Sequence, residues 1–208
     1  MRLYLAVPSC RDWKPQFGAS LCGLVRKLSL DGLDFNLHCM IGTSVLPKAR
    51  QMAVENAIET GYTHILFLDD DMEFTPEIFE ALSSHNKEIM AANYSNKNPV
   101  ESKPQVHDLD GKPVYSRHKN GIQEVGWVGF GAILIELAIM KNVPKPWFQM
   151  IWHSPRNEFI GEDYFFCGQV RNSGYKIFIN HNIEIAHIGD KAYTESTELI
   201  YDYRKEVA

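Results

Sequence analysis

Short apolar runs alternate with longer amphipathic segments through the first half of the chain. Four runs have the length and composition of strands, at 3–7, 34–41, 64–68 and 87–94. The segments between them carry apolar residues every three or four positions, the spacing of one helical face, at 16–30, 48–60 and 74–85. This alternation predicts an α/β fold, with a mainly parallel central sheet flanked by helices.

The run HILFL at 64–68 shows no alternation of apolar and polar residues, which is typical of a parallel strand buried on both faces. In the segment that follows, Thr75 is a suitable N-cap and Pro76 a suitable first helical residue. The aspartates 69–71 therefore occupy the short connection between a buried strand and a helix. An α/β sheet binds ligands beyond the carboxyl ends of its strands, so these carboxylates lie where such a fold places its site.

The second half is predicted to hold a small antiparallel part. Residues 95–120 are polar and rich in proline and lysine, and a turn at Asp110 and Gly111 predicts a hairpin within an insertion or flexible loop. A later helix begins with two acids, ends near Gly174 and is followed by predicted strands at 176–179 and 183–188. Glycines that permit close approach of the backbone to a ligand or another element lie at Gly126, Gly129 and Gly131.

The length and composition suit one ordinary globular domain. The chain has 208 residues, of which 45% are hydrophobic and 23% charged. A formal net charge of −5 gives no general attraction to phosphate backbones or anionic lipids. Four cysteines lie far apart without a CxxC pair, which indicates reduced thiols rather than a zinc or disulfide framework. The absence of a signal peptide or a membrane-spanning run predicts a cytoplasmic protein.

The adjacent carboxylates of Asp69, Asp70 and Asp71 would repel one another unless a cation or hydrogen-bond donors compensate them. A divalent metal does so economically, and hard oxygen ligands favour Mg²⁺ or Mn²⁺, which commonly bridges carboxylates to substrate phosphates. The alternative is a solvated acidic turn that caps the following helix. The position directly after a buried strand favours the metal.

Four further residues are candidates for the same region. His187 is either an ordinary strand histidine or a third metal ligand, and an imidazole beside carboxylates would favour a transition metal over Mg²⁺. Arg50 is either solvated or close to the aspartates, where its guanidinium could neutralise a diphosphate or orient an aspartate. Lys97, in the polar loop, is a weaker candidate for that task. Trp127 could stack on a sugar or base, although tryptophan in an apolar segment is more often core.

Glu162 and Asp163 open the predicted helix of the second half. Two acids at this position could simply interact favourably with the helix dipole. The glycine before them and the aromatic residues after them indicate instead a partly desolvated carboxylate, whose proton affinity would rise toward that of a general base. The sequence leaves open which of the two acids has that role.

Taken in order along the chain, the motifs PSCRD, FLDDDMEF, GWVGFGA, GEDYFF and AHIGD resemble those of GT-A glycosyltransferases of the family 2-like group. The resemblance spans about 3–190 and implies a Rossmann-like GT-A domain over 1–208. Its parts would be a nucleotide-binding half, an acceptor and sugar-binding half, and a C-terminal tail, at 1–95, 96–190 and 191–208. The chain lacks the QxxRW motif of processive polysaccharide synthases, which argues against polymer synthesis coupled to export.

The resemblance also implies roles for individual residues. Asp69 and Asp71 match the two acids of the DxD motif, with Asp69 near the ribose or the metal and Asp71 on the Mn²⁺ or Mg²⁺ that bridges the diphosphate. His187 matches a late histidine that completes the metal coordination in some members. Glu162 and Asp163 match two acids of which one commonly acts as base in inverting members or contacts the sugar. The implied nucleotide- and sugar-binding residues are Pro8, Ser9, Arg11, Arg50, Asp70, Gly129, Phe130 and Gly131.

The implied reaction is metal-dependent transfer of a sugar from a nucleoside-diphosphate sugar to an acceptor hydroxyl, with a UDP-sugar favoured as donor. A sugar, a lipid, a protein or a modified nucleic-acid base remain open as acceptors. Two other functions also remain open. One is a metal-dependent nucleotidyltransferase or phosphohydrolase, which likewise places clustered aspartates after a strand. The other is a non-catalytic module that binds nucleotides or sugars.

Overall fold

A computed structural model describes residues 1–10, 12–42, 44–98, 102–155, 157–189 and 192–194. Arg11, predicted to border the nucleotide base, lies outside the described residues, as does most of the predicted tail 191–208. In the first half the strands are β1 Arg2–Ser9, β2 Asp34–Ile41, β3 His64–Leu68, β4 Met72–Glu73 and β5 Ile89–Ala91. The helices of this half are α1 Pro15–Leu30, α2 Leu46–Glu59 and α3 Ile78–Ser83.

The second half is built mostly from short strands. It contains one α-helix, α4 Glu162–Asn172, and a 3₁₀ helix, Leu137–Lys141, among its described residues. Its first strands are β6 Val106–His107, β7 Ile122–Val125, β8 Trp127–Val128 and β9 Ala132–Glu136. The later strands are β10 Ile151–His153, β11 Glu158–Ile160, β12 Ile177–Asn180, β13 Ala186–Ile188 and β14 Ala192–Tyr193. None of the described helices is long and apolar enough to cross a membrane.

Seven strands form the central sheet in the order β2-β1-β3-β9-β5-β12-β7. β1 is parallel to β2 and β3, and β12 is parallel to β5. β9 runs antiparallel to both β3 and β5, and β7 antiparallel to β12. Five of the seven strands therefore share one direction, and both reversed strands come from the second half. This confirms the predicted α/β class with a mainly parallel central sheet and an antiparallel part in the C-terminal half.

Hydrophobic cores cover both faces of this sheet. On β3, Ile65 and Phe67 belong to one core, whereas Leu66 and Leu68 belong to the other, so the strand is buried on both faces as predicted. α1 packs on the second face through the residues whose helical spacing predicted it, Phe17, Leu21, Leu24 and Leu28. Buried residues of α2 and α4 belong to the first core. The carboxyl end of β3 thus emerges between two helical layers.

The predicted start of the third helix is wrong. α3 begins at Ile78, after an N-cap at Glu77 that makes no side-chain capping hydrogen bond, rather than at Pro76 with Thr75 as the cap. Tertiary contacts hold the preceding residues in a different path. β4 pairs with β13, and the N–H of Phe74 donates to Oγ of Ser20 on α1 at 3.0 Å. These contacts hold residues 72–74 outside the helix, which therefore begins later than the local sequence predicts.

The predicted turn at Asp110 and Gly111 is confirmed. The N–H of Asp108 donates to the carbonyl oxygen of Lys112 at 2.9 Å, and Gly111 takes a φ of +81° that favours glycine. The loop that contains this turn is hydrogen-bonded to a buried residue that follows β5. Nδ2 of buried Asn93 donates to the carbonyl oxygen of Val114 at 2.8 Å and to the Ser116 hydroxyl at 3.0 Å. The described part of the predicted insertion therefore packs on the domain.

Candidate active site

The three aspartates form a tight turn at the carboxyl end of β3. The N–H of Asp69 donates to the carbonyl oxygen of Gly131, and the carbonyl oxygen of Asp70 accepts from the N–H of Lys14, both at 3.1 Å. The carbonyl oxygen of Asp71 accepts from the N–H of Ile188 on β13 at 2.7 Å. Three separate elements thus fix the backbone of this turn, and its side chains take different partners.

Asp69 faces a buried arginine. Nη2 of Arg50 lies 3.0 Å from Oδ1 of Asp69, and Nε lies 3.6 Å from Oε1 of Glu162. The Arg50 side chain is only 2% exposed, and its guanidinium lies 4.6 Å from the centre of the Phe130 ring. Of the two roles predicted for Arg50, this arrangement favours orientation of an aspartate over direct contact with a diphosphate. Arg50 also connects the aspartate turn to the acids of α4.

The environment of Asp69 changes its proton affinity. Burial raises the pKa of Asp69 to about 6, with nearby Asp71 and Glu162 acting in the same direction, while Arg50 and His187 oppose the change. The carboxyl group is not sealed from the solvent, because 28% of the side chain remains exposed. Asp69 can therefore meet a ligand in the cleft on one side while it contacts Arg50 on the other.

Asp71 has two cationic or potentially cationic partners. Nζ of Lys97 makes an ion pair with Oδ2 of Asp71, and Nε2 of His187 lies 3.3 Å from Oδ1. Burial by itself would raise the pKa of Asp71, but His187 and Lys97 together hold that pKa below its ordinary value. Asp71 is thus ionised in the pH range in which proteins normally work.

The pair of Asp71 and His187 fits a divalent metal. Nδ1 of His187 lies 3.0 Å from the carbonyl oxygen of Ser95, so Nδ1 carries a proton. Nε2 faces Asp71, and it is a donor in the charged ring and an acceptor that can bind a metal in the neutral ring. Metal-binding histidines commonly donate their second N–H to a carbonyl in this way. Two ligands at ~2.1 Å from one ion and at right angles would be about 3 Å apart, close to the distance observed. Oδ1 of Asp71 is buried and has no hydrogen-bond partner among the described residues.

The third predicted metal ligand, Asp69, is not assembled with this pair. Among the described residues, no group of three His, Cys, Asp or Glu side chains is arranged to hold a metal ion. Asp69 contacts Arg50 instead. The protein supplies two ligands facing each other, and a bound ion would complete its coordination with ligand oxygens or with water.

An open cleft of about 580 Å³ lies over the aspartate turn. Pro8 and Ser9 at the end of β1 line it, as do Asp70 and Asp71. Burial raises the pKa of Asp70, whereas a hydrogen bond with the Ser9 side chain acts in the opposite direction. The ends of β1 and β3 thus present both neutral and acidic groups to one cleft.

The segment 129–131 lies beneath this cleft. Phe130 is 1% exposed and packs on Arg50 and on other aromatic rings, so its side chain does not reach a ligand. The two glycines leave room for Tyr94: a Cβ on Gly129 would collide with the Tyr94 hydroxyl, and one on Gly131 would lie 2.8 Å from its ring. The segment therefore supports the site through its backbone.

Tyr94 is a site residue that the sequence did not single out. Its hydroxyl accepts a hydrogen bond from the N–H of Gly131 at 3.1 Å, and its ring meets the His187 ring edge-on at 5.4 Å. Burial raises the pKa of Tyr94, and the negative charges of Asp69 and Asp163 raise it further. The available signal was its position at the end of the predicted strand 87–94, at the same sheet edge as the aspartates.

The two acids at the start of α4 have different surroundings. Glu162 is buried beside Arg50, whereas Oδ1 of Asp163 accepts the N–H of Tyr164 at 2.8 Å. Burial raises the pKa of Asp163, and the charge of Glu162 raises it further. Gly161 makes room for this carboxylate, since a Cβ there would lie 2.7 Å from Oδ1 of Asp163. The expectation of a partly desolvated acid with raised proton affinity therefore applies to Asp163.

Comparisons with known proteins identify the fold. No protein-family model matches the sequence, and no curated protein is significantly similar to it. A197 from STIV matches with a TM-score of 0.65 and 18% identity, over 97% of this chain and 94% of that chain. Drosophila β1,4-galactosyltransferase 7, in complex with manganese, UDP-Gal and xylobiose, matches with a TM-score of 0.53 and 12% identity, over 99% of this chain and 79% of that one. The chain has a GT-A-like fold.

Proposed function

We propose that this chain is a metal-dependent glycosyltransferase that moves a sugar from a nucleoside-diphosphate sugar, favourably a UDP-sugar, to an acceptor hydroxyl. The observation that carries the proposal is the pair of Asp71 and His187 at the carboxyl end of β3, at the edge of an open cleft. The presence of manganese and UDP-Gal in the Drosophila galactosyltransferase, which has the same fold, supports it.

Asp71 and His187 would hold Mn²⁺ or Mg²⁺, and Asp69 would contact the metal or the ribose from its exposed side. A bound metal would neutralise the charge that develops on the leaving nucleoside diphosphate. Pro8, Ser9 and Asp70 would border the nucleotide, because they line the same cleft. In this arrangement most of the rate enhancement comes from positioning and electrostatics.

Asp163 is the better candidate for the base of an inverting transfer. Glu162 is 3.6 Å from the buried guanidinium of Arg50, so its charge is already engaged. Asp163 has no ion pair of this kind among the described residues, and burial raises its pKa toward the working pH. A carboxylate with raised proton affinity can take the proton of an attacking hydroxyl, while Glu162 keeps Arg50 and Asp69 in place.

The raised pKa of Asp163 predicts a shifted acidic limb in the pH–rate profile. The base must be deprotonated, so kcat should fall as the pH is lowered through the pKa of Asp163, which lies above the ordinary 3.8 of an aspartate. Kcat at saturating donor, acceptor and metal should be measured from about pH 4 to 8, because kcat reports groups of the bound complex. Asp163→Asn should remove most of the rate and change the position of the remaining acidic limb, because Asp69, with a pKa of about 6, titrates in the same range. A wild-type kcat that stays constant over the whole range would contradict the assignment.

The proposed function can be tested by binding and by turnover. Thermal unfolding of the protein with Mn²⁺ should shift upward with UDP or another nucleoside diphosphate, since a ligand that binds the native state stabilises it. Release of UDP from UDP-sugars then separates the three functions that remained open. A nucleotidyltransferase or phosphohydrolase would turn over nucleoside triphosphates instead, and a non-catalytic module would bind UDP without releasing any from a UDP-sugar. No thermal shift with any nucleotide would exclude the proposed function.

A further inference from the structure

A second cleft, of about 470 Å³, lies along α4 from Tyr164 in its first turn to Asn172 at its end. We call it the aromatic cleft. One face of α4 forms a wall of it, through Tyr164, Phe165, Gly168, Gln169 and Asn172, which recur at helical spacing. The other walls are the turn at Asp110 and Gly111, the floor residues His107 and Trp127, and the inner face of the β10–β11 hairpin at Ile151, His153 and Ile160. Its volume lies within the ~300–1,000 Å³ that is usual for small-molecule sites.

Stacked rings organise the floor of this cleft. The Trp127 and Tyr164 rings lie 5.9 Å apart and almost parallel, at 16°. The Tyr164 hydroxyl and Nδ1 of His107 are hydrogen-bonded at 2.5 Å, which fixes the tyrosine ring. The polar groups of Asp110, His153, Gln169 and Asn172 lie around these apolar surfaces. Flat rings surrounded by carboxylate, imidazole and amide groups match a pyranose, whose ring face presents C–H bonds and whose rim presents hydroxyls.

The charge of the aromatic cleft argues against a phosphorylated ligand. Of the described residues that line it, none is a lysine or an arginine, and Asp110 contributes a negative charge. The guanidinium of Arg171 lies 4.9 Å from the centre of the Trp127 ring but does not line the cleft. A nucleotide, a nucleic acid or a lipid phosphate would be poorly compensated there. A neutral ligand rich in hydroxyl groups is not affected by this lack of cations.

The position of the aromatic cleft relates it to the proposed reaction. Asp163, the candidate base, and Tyr164, on the floor of the cleft, are consecutive residues, and the Tyr164 N–H donates to the Asp163 carboxylate. At the same helix start, Glu162 contacts Arg50, which in turn contacts Asp69 of the aspartate turn. The first turn of α4 therefore connects the aspartate turn to the aromatic cleft, and Asp163 lies in that turn.

From these observations we infer that the aromatic cleft binds the acceptor and that this acceptor is a neutral oligosaccharide. The role of acceptor rests on the proposed function. Binding of a saccharide in the aromatic cleft does not depend on that function. The outer face of the same hairpin continues the aromatic surface. Trp152 and Phe159 pair across β10 and β11 and are 50% and 66% exposed, so an oligosaccharide longer than the cleft could extend over them.

Gly168 offers a way to block the cleft without disturbing the core. It lies on the cleft face of α4, and a Cβ added there meets no atom within 4 Å. Gly168→Leu should therefore fold and place its side chain in the aromatic cleft. Gly18→Leu is the matched control, because Gly18 is also a helical glycine with no atom within 4 Å of an added Cβ and does not line the cleft.

The experiment measures saccharide and UDP binding to the wild type and both variants. The saccharide probes are neutral di- to hexasaccharides of xylose, glucose, galactose, mannose and N-acetylglucosamine, followed by saturation-transfer NMR and calorimetry. UDP with Mn²⁺ is followed separately. We expect at least one saccharide to bind the wild type and Gly18→Leu equally, to bind Gly168→Leu at least tenfold more weakly, and UDP affinity to be the same in all three.

Each other outcome is decisive. If no saccharide binds, or if Gly168→Leu binds as well as Gly18→Leu, the inference is wrong, while UDP binding and turnover would leave the proposed function intact. If saccharides bind in the cleft but no nucleotide binds, the proposed function fails and the aromatic cleft remains a saccharide site without the role of acceptor site.

Discussion

Replacement of Arg50 by methionine is expected to lower the free energy of unfolding by about 3–5 kcal/mol, the usual cost of removing one partner from a buried ion pair. The guanidinium is 2% exposed and lies between Asp69 and Glu162. Without the guanidinium, the carboxylates of Asp69 and Glu162 would remain partly desolvated and would lose their shared counterion. Burial already raises the pKa of Asp69 to about 6, which shows how strongly that place disfavours negative charge. The loss should be measured by urea unfolding at neutral pH.

Two further variants separate this interpretation from a general effect of the substitution. Arg26→Met, at an exposed arginine of α1, should change the stability by less than about 0.5 kcal/mol. The combination of Arg50→Met with Asp69→Asn and Glu162→Gln should recover part of the loss, because no buried charge then lacks a partner. A single Arg50→Met variant as stable as Arg26→Met would show that Arg50 is not the internal counterion of the site.

The buried strand and the first helix follow directly from local pattern. HILFL occupies β3 as predicted, because a strand buried on both faces is a continuous apolar run. The apolar spacing of residues 17–28 gives the buried face of α1, because a helix buried on one face repeats apolar residues every three or four positions. The start of α3 does not follow from local pattern. Thr75 and Pro76 have suitable chemistry for a helix start, but the hydrogen bond from Phe74 to Ser20, 54 residues away, decides the path of the chain.

The candidate site shows the same division. The carboxylates of Asp69–Asp71 could be predicted because an α/β sheet binds ligands beyond the carboxyl ends of its strands. Those of Glu162 and Asp163 could be predicted because they open a helix between a glycine and aromatic residues. The burial of Arg50 could not be predicted, since an arginine on a helix is usually solvated and the rings of Phe67 and Phe130, which lie over it, belong to other parts of the chain. For the same reason the sequence indicates Lys97 only as a weak candidate and does not indicate Tyr94. Their partners Asp71, His187 and Gly131 lie 26 or more residues away in sequence, and only the folded sheet brings them together.

Asp71→Asn is expected to weaken metal-dependent UDP binding by about 100-fold or more and to reduce sugar transfer by about 10²–10³-fold. The substitution keeps the shape of the side chain and removes the charge that faces Nε2 of His187 at 3.3 Å. An amide is a weaker ligand for Mn²⁺ or Mg²⁺ than a carboxylate, and it does not balance Lys97. Calorimetry of Mn²⁺ and UDP, together with UDP release from a UDP-sugar, measures both effects.

Lys97→Met tests the same carboxylate, and it should change the affinity for Mn²⁺ in the opposite direction. Nζ of Lys97 makes an ion pair with Oδ2 of Asp71, so the ammonium and a metal ion would compete for one negative charge. Removal of the ammonium should therefore raise the affinity for Mn²⁺ in the absence of nucleotide, whereas Asp71→Asn should lower it. Asp34→Asn, at a surface carboxylate paired with Arg2, should leave that affinity unchanged. If Asp71→Asn kept full metal affinity and turnover, or if Lys97→Met and Asp71→Asn changed the affinity in the same direction, Asp71 would not be the metal-binding carboxylate.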